Sequence, residues 1–534
     1  MAKETVKDEV KEIERNLEVK PAEQASPETK ESLPGMPRLN VLRQIPTPEA
    51  LQLVPEELAR KYSLIPIAVE DDNLRVAMAN PSDILAIEAL AARTKKRIEP
   101  VPASVADVLE AIDFNYKAFG EIAEQFKSSI SISEPSVAEK EIFEIADDSP
   151  VARSLNLIVE EAVKSRASDI HIEPETERVR VRYRIDGTLH DVISLPAGVH
   201  GSLISRIKIL ADMNIADHRR PQDGQYSVEA LGRDIDIRVA TVYTVHGEMV
   251  VLRLLDKSSS ALSLSQLGFL PESQERFEQM LMVPYGMVLT SGPTGAGKTT
   301  SLYAAVNSLD RVGRNIITLE DPVEYRFEGI NQIQTNPKAG LTFATGLRAI
   351  VRLDPDVILV GEVRDSETAK IAVQSALTGH LVLSSVHAND TVGVLFRLID
   401  LGVEPFLICS GVIGIVAQRM VRRVCPYCTH RVTVPVAEQA AYSREVKEER
   451  TEFTYGAGCK ACVYTGYLGR TGIFEILTVS DDLRQLVLSG ATAGQLRAQA
   501  IKDGMVSLAK DGMLKAKVGI TTPYEVLHNA YSVD

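Results

Sequence analysis

The run MVLTSGPTGAGKTT, residues 287–300, constrains this chain more than any other segment. An apolar strand, a glycine-rich turn and a helix-forming stretch follow one another in the order required of a phosphate-binding loop, G-x-x-x-x-G-K-[ST]. Gly292, Gly297, Lys298 and Thr299 occupy the defining positions, with Pro293, Thr294, Gly295 and Ala296 between them and Thr300 behind. The glycines let the backbone turn tightly enough for its N–H groups to converge on phosphate oxygens, and the helix N-terminus adds partial positive charge. Lys298 is placed to reach the β and γ phosphates and Thr299 to ligate Mg²⁺, so the expected ligand is ATP with its metal. Strands and helices alternate from residue 272 to about 420, which predicts a parallel, doubly wound sheet around this loop.

A carboxylate is needed near the terminal phosphate. In DPDVILVGEV, Asp356 opens an apolar strand and Glu362 follows it, at the sheet edge where the phosphate loop also lies. An acid there can polarise water for in-line attack or hold Mg²⁺ through water, and Glu362 is the expected catalytic carboxylate.

At 534 residues the chain exceeds the roughly 250–300 that one core can serve, so several domains are expected. Residues 1–40 mix Lys, Glu, Pro and Ser with few large apolar side chains and read as a disordered tail. Residues 41–120 read as a small α/β domain, 121–148 as a linker, 149–258 as an α+β lobe and 259–534 as the motor core. In the lobe, Val179, Val181, Tyr183 and Ile185 alternate with Arg178, Arg180, Arg182 and Arg184, the period of a strand with one core face and one strongly basic face. No apolar run approaches the ~20 residues of a membrane span, and MAKETVKDEVKEIER lacks the apolar stretch of a secretory signal, which predicts a cytoplasmic protein. A net charge of −14 argues against a nucleic-acid partner.

Four of the five cysteines form Cys425-Pro-Tyr-Cys428 and Cys459-Lys-Ala-Cys462, with 30 residues between the pairs. Four thiolates at this spacing suit a closed, structural Zn²⁺ site, in a module at about 422–470. A disulfide or a redox C-x-x-C is disfavoured because neither pair opens a helix after a strand. Cys409, within PFLICSGVIGIV, reads as core.

Beyond these loops, ASDIHIEP, VRYRIDG, RRPQDGQ, TLEDPVEY, RLDPDVILVGEVRDSETA and TGHLVLSSVHAND occur in that order. With them the chain resembles, over roughly residues 45–534, the type II secretion and type IV pilus assembly ATPases, the GspE/PulE/PilB family. The resemblance implies a RecA-like P-loop core, a preceding PAS-like lobe and a small N-terminal domain that docks a cytoplasmic membrane adaptor. It implies a homo-hexamer that hydrolyses ATP to ADP and phosphate between lobes and drives an inner-membrane platform protein, adding pilin or pseudopilin subunits to a fibre. By motif it places Glu320, Asp321, Glu324, His380 and His387 at the nucleotide, with Arg238, Arg253, Arg348 and Arg352 as candidates to neutralise the transferring phosphoryl group. The four-cysteine module favours assembly over retraction. Relatives often begin with a tandem repeat that binds cyclic di-GMP. This chain reaches LVPEELARKYSLIP after the tail alone, so no cyclic di-GMP binding is expected. Ala388 stands where relatives usually carry Thr, removing one hydroxyl beside the second His. Two other classes share the P-loop: a nucleic-acid motor, weakened by the acidic balance and the absence of Trp, and a nucleotide-dependent scaffold that does not hydrolyse ATP.

Overall fold

The computed structural model describes residues 46–70, 72–105, 107–109, 111–112, 116, 149–256 and 262–530. The expected tail at 1–40, the linker at 121–148 and the serine-rich joint at 258–260 lie outside the described residues. The described residues divide into two units, 46–256 and 262–530.

The first unit begins with helices α1 (Pro48–Leu53) and α2 (Glu56–Tyr62), then strands β1 (Leu64–Glu70) and β2 (Asn73–Met78), helix α3 (Ile84–Thr94) and strand β3 (Arg97–Pro102). β1 and β2 pair antiparallel, whereas β2 and β3 run parallel, which requires the crossover that α3 provides. Leu64, Ile65, Val76, Met78 and Leu90 pack between sheet and helices.

Next comes helix α4 (Pro150–Lys164), opened by Ser149, whose Oγ accepts from the Ala152 N–H, and by Pro150 at the first helical position. Strands β4 (Ala167–Pro174), β5 (Arg178–Ile185) and β6 (Thr188–Pro196), helix α5 (His200–Leu210), and strands β7 (Gln222–Ala230), β8 (Arg233–Thr244) and β9 (Gly247–Asp256) follow. They form a six-stranded antiparallel sheet in the order β6-β5-β4-β9-β8-β7. The period-two reading of β5 is realised, with Val179, Val181, Tyr183 and Ile185 all buried under α4 and its neighbours. The opposite face departs from the strongly basic stripe expected. Arg178 pairs with Glu175, Arg180 with Asp191, Arg182 with Glu173, and Arg184 approaches Asp169. Neighbouring strands and the turn between β4 and β5 supply the matching carboxylates, so the face is charge-balanced.

In the second unit the order is helix α6 (Pro271–Leu281), strand β10 (Gly286–Ser291), helix α7 (Lys298–Ser308), strands β11 (Ile316–Glu320) and β12 (Asn331–Gln334), and helix α8 (Phe343–Ile350). Strand β13 (Val357–Val360), helix α9 (Ser366–Leu377), strand β14 (Leu381–Val386), helices α10 (Thr391–Asp400) and α11 (Pro405–Gly411), and strand β15 (Val412–Val424) complete the winding. β16 (Thr429–Thr433), α12 (Val436–Val446) and β17 (Glu452–Gly456) form an excursion before β18 (Tyr467–Thr478) and helices α13 (Asp481–Leu488), α14 (Ala493–Lys502), α15 (Leu508–Lys517) and α16 (Pro523–Ala530). The main sheet runs β12-β11-β13-β14-β10-β15-β18, parallel except for β18. β10, β13 and β14 are buried along their whole length, as expected of parallel strands covered on both faces. Alternate residues serve opposite cores: Leu289, Ile358 and Val382 face one, Val288, Leu359 and Leu383 the other.

The ion pair between Lys515 and Asp511 is interior. Lys515 Nζ lies 2.5 Å from Asp511 Oδ2 one helical turn away on α15 and also donates to the Gly472 carbonyl, while the Phe474 N–H donates to the same Asp511 oxygen. Removing one member strands a charge out of water. Asp511→Ala is expected to destabilise this unit by about 3–5 kcal/mol, read as a lowered denaturation midpoint. A change under ~1 kcal/mol would show that the pair carries no such weight.

Candidate functional site

β10 ends at Ser291 and the chain turns through residues 292–297 into α7. A Cβ at Gly292 would lie 2.5 Å from the Gln418 carbonyl oxygen and 2.9 Å from Ala296 Cβ, so no larger residue fits without a shift. Gly297 holds φ +85° at the N-cap of α7, a conformation that L side chains resist. From behind, Gln418 Nε2 of β15 donates to the Ala296 carbonyl at 2.6 Å, bracing the turn. Pro293, Thr294, Gly295, Thr299 and Thr300 are exposed. Lys298 Nζ donates to the carbonyls of Gly292 and Pro293 at 2.7 and 3.1 Å. Burial lowers the Lys298 pKa, opposed by Glu362 and reinforced by Arg419.

Lys298 and Thr299 share one cleft with Glu320, Asp321, Glu362 and His387. Glu324 also lines it. Glu362 leaves the end of β13 with 14% of its side chain exposed, ion-paired to Arg364 and 3.6 Å from His387 Nε2. Burial, with Lys298 alongside, lowers the His387 pKa and favours a neutral ring. Ala388 packs against the core, and its carbonyl accepts from Ser291 Oγ at 2.9 Å, tying the loop after His387 to the root of the phosphate loop.

His380 does not join them. It precedes β14 at the opposite end of that strand from His387, about 23 Å away at ~3.3 Å per residue, where its Nδ1 meets the Ser375 carbonyl at 2.8 Å. Asp356 sits at that same far edge, accepting from the Asn315 N–H. Of the four arginines, Arg348 on α8 pairs with Glu367, and neither it nor Arg352 lines the cleft. Arg238 and Arg253 belong to the first unit, directly opposite each other on β8 and β9. Arg253 Nε lies 3.0 Å from Asp169 Oδ1, a carboxylate it shares with Arg184.

The four cysteines form a second centre. Cys425 and Cys428 bracket the turn between β15 and β16, and Cys459 and Cys462 the turn between β17 and β18. Their sulfurs are 3.8 Å (Cys425–Cys459), 3.9 Å (Cys428–Cys462) and 3.8 Å (Cys459–Cys462) apart. A tetrahedron with metal–sulfur bonds of about 2.3 Å has edges of about 3.8 Å, so the set fits Zn²⁺. The N–H groups of Gly458 and Cys459 donate to Cys428 Sγ and Cys462 Sγ, orienting the knuckles. Cys409 is buried in the core, as expected.

With both centres in place, comparison with known proteins is decisive. The model of the type II/IV secretion system protein family matches residues 144–528. The chain belongs to this family. Relatives of similar length include the type IV pilus assembly ATPase PilB of Myxococcus xanthus, 42% identical over 93% of this chain and 89% of that one, and the type II secretion system protein E of Xanthomonas campestris, 41% identical over 92% and 88%. The ATPase DotB of Legionella pneumophila shares the RecA-like fold, with a TM-score of 0.53 at 20% identity over 70% of this chain and 94% of that one. Residues 35–121 match the MshEN domain model. The expectation that this region takes no cyclic di-GMP rests on the sequence alone, and the MshEN match does not support it.

Motif reasoning did not single out several residues around the cleft. Gln418 braces the phosphate loop, Arg364 pairs with Glu362, and Tyr303 and Gln332 hold Glu320. Arg364 falls inside an acid-bearing motif, so its charge was a usable signal. The other three are neutral side chains whose partners lie in remote segments.

Proposed function

We propose that this chain is the ATP-hydrolysing subunit of a homo-hexameric motor that powers assembly of a type IV pilus or a type II secretion pseudopilus through an inner-membrane platform protein. One observation carries the reading: the phosphate-loop residues Lys298 and Thr299 open onto the same cleft as Glu362. In this reading the N–H groups of 292–299 and the Lys298 ammonium receive the triphosphate, and Glu362 orients a water molecule toward the γ phosphorus. The water oxygen bonds to phosphorus as the bridging oxygen leaves with ADP, and the water proton passes to Glu362. The Thr299 hydroxyl and the acids Glu320 and Asp321 would hold Mg²⁺, which when bound neutralises phosphate charge. A neutral His387 can donate a hydrogen bond to the γ phosphate or report its loss. His380, by its position, is proposed as a structural cap of α9 instead.

Arg238, Arg253, Arg348 and Arg352 are proposed to meet charge on the transferring group once subunits assemble, since guanidinium forks suit planar phosphoryl oxygens. Cys425, Cys428, Cys459 and Cys462 would hold a structural Zn²⁺ with no open position. Among the described residues no helix is long and apolar enough to cross a membrane. By analogy with its secretion and pilus relatives, the subunit is proposed to be recruited to the cytoplasmic face of the inner membrane by partners. The domain at 41–120 is the proposed adaptor-docking piece.

The test is phosphate release by the purified full chain with Mg²⁺ and ATP, with the cognate platform protein or duplex DNA added. Turnover stimulated by the platform protein and indifferent to DNA is expected. Stimulation by DNA alone would point to a nucleic-acid motor, and absence of hydrolysis in both mixtures would defeat the ATPase reading.

A further inference from the structure

Glu320 is an acid at the cleft that is only 3% exposed as a residue, and its surroundings explain how it is kept there. Thr318 Oγ1 donates to Oε1 at 2.5 Å and Gln332 Nε2 at 3.2 Å, so both lone pairs of that oxygen are engaged. The Tyr303 hydroxyl donates to Oε2. That same phenolic oxygen accepts from the Glu324 N–H at 3.1 Å, so one group binds both ends of the acidic turn after β11. Gln332 also fastens this turn, donating to the Tyr325 carbonyl at 2.9 Å and accepting from the Phe327 N–H at 2.8 Å. The Tyr303 ring is locked edge-on against Phe327 at 4.9 Å and Tyr325 at 6.0 Å.

Tyr303 lies on α7, one helical turn after Thr299, so the two share a helix face toward the cleft. We propose that Tyr303 is a positioning residue for ATP hydrolysis: its hydroxyl couples the phosphate-loop helix to the acidic turn 320–324 and leaves Glu320 a single free lone pair aimed at the nucleotide. A carboxylate with three of its four acceptor sites filled has one direction left in which to act. Without the hydroxyl, Oε2 could rotate or recruit water, and the Glu324 N–H would lose its acceptor.

This inference rests on the ATPase reading above. Tyr303→Phe retains the ring and its aromatic packing and deletes the hydroxyl alone. In the full chain, kcat is expected to fall on the order of ten- to a hundredfold, the usual worth of a hydrogen bond to a charged group. KM, and calorimetric binding of a non-hydrolysable ATP analogue, should stay within about threefold, because what is lost is geometry and not nucleotide affinity. Gln332→Leu, which removes an Oε1 donor without touching α7, should lower kcat in the same sense. If Tyr303→Phe turned over like the parent, or lost kcat only in proportion to a loss of folded protein in thermal unfolding, the positioning role would be overturned. If the parent itself released no phosphate, the ATPase reading would fall and this inference with it.

Discussion

Glu362→Gln is expected to bind ATP at least as tightly as the parent chain and to hydrolyse it about 10²- to 10⁴-fold more slowly, the range attributable to a general base. The substitution is nearly isosteric, so the end of β13 need not move. It removes the charge that accepts a proton and leaves the cations in place. Lys298 loses the anion that raises its pKa, and Arg364 loses its partner, so both become more available to phosphate oxygens. The Glu362–Arg364 pair is exposed on the arginine side, so its loss should cost little stability. Steady-state phosphate release together with calorimetry of ATP binding checks both halves. Turnover within about threefold of the parent would show that another acid at the cleft, Glu320 first, is the base.

Zinc removal should have the largest effect on structure. The module holds a two-stranded sheet, β16 with β17, and a small core built on Tyr442 and Phe453, packed against α15 and α16. A lone two-stranded sheet with so few apolar contacts is marginal in water. Structural zinc sites contribute roughly 10–16 kcal/mol to the folding of small domains. One zinc per chain is expected by elemental analysis. Cys425→Ser should lose the metal and, with it, amide-exchange protection over about 422–470, while the phosphate loop still binds nucleotide because β10 and α7 rest on separate cores. Retention of both metal and protection in that variant would sink the four-thiolate assignment.

How much was legible depended on how local each feature is. The phosphate loop is contiguous, and its glycines answer to backbone geometry that any strand–loop–helix imposes. The cysteine pairs carry their own bite, and only the approach of the two knuckles had to be supplied by β15–β18. The two histidines show the limit of such reading. His380 and His387 stand seven residues apart in one motif, but the intervening residues form an extended strand that carries them to opposite edges of the sheet. Spacing along a strand converts directly into distance, which a motif read as a single unit hides. The arginine stripe of β5 was similarly half-read. Its alternation was plain, but the acids that neutralise it come from β4, the turn after it, and β6.

The amino-acid sequence alone therefore determined the parts whose chemistry lies in a short stretch: a triphosphate loop, an acid after a buried strand, four thiols in two knuckles, and the family those motifs imply. Only the tertiary structure decided which acids and histidines share a cleft, that Gln418 braces the loop, and that Tyr303 and Gln332 hold Glu320. The physical reason is that a parallel sheet assembles its working edge from strand ends far apart in the chain, and a neutral side chain acquires its role only when folding brings its partner to it.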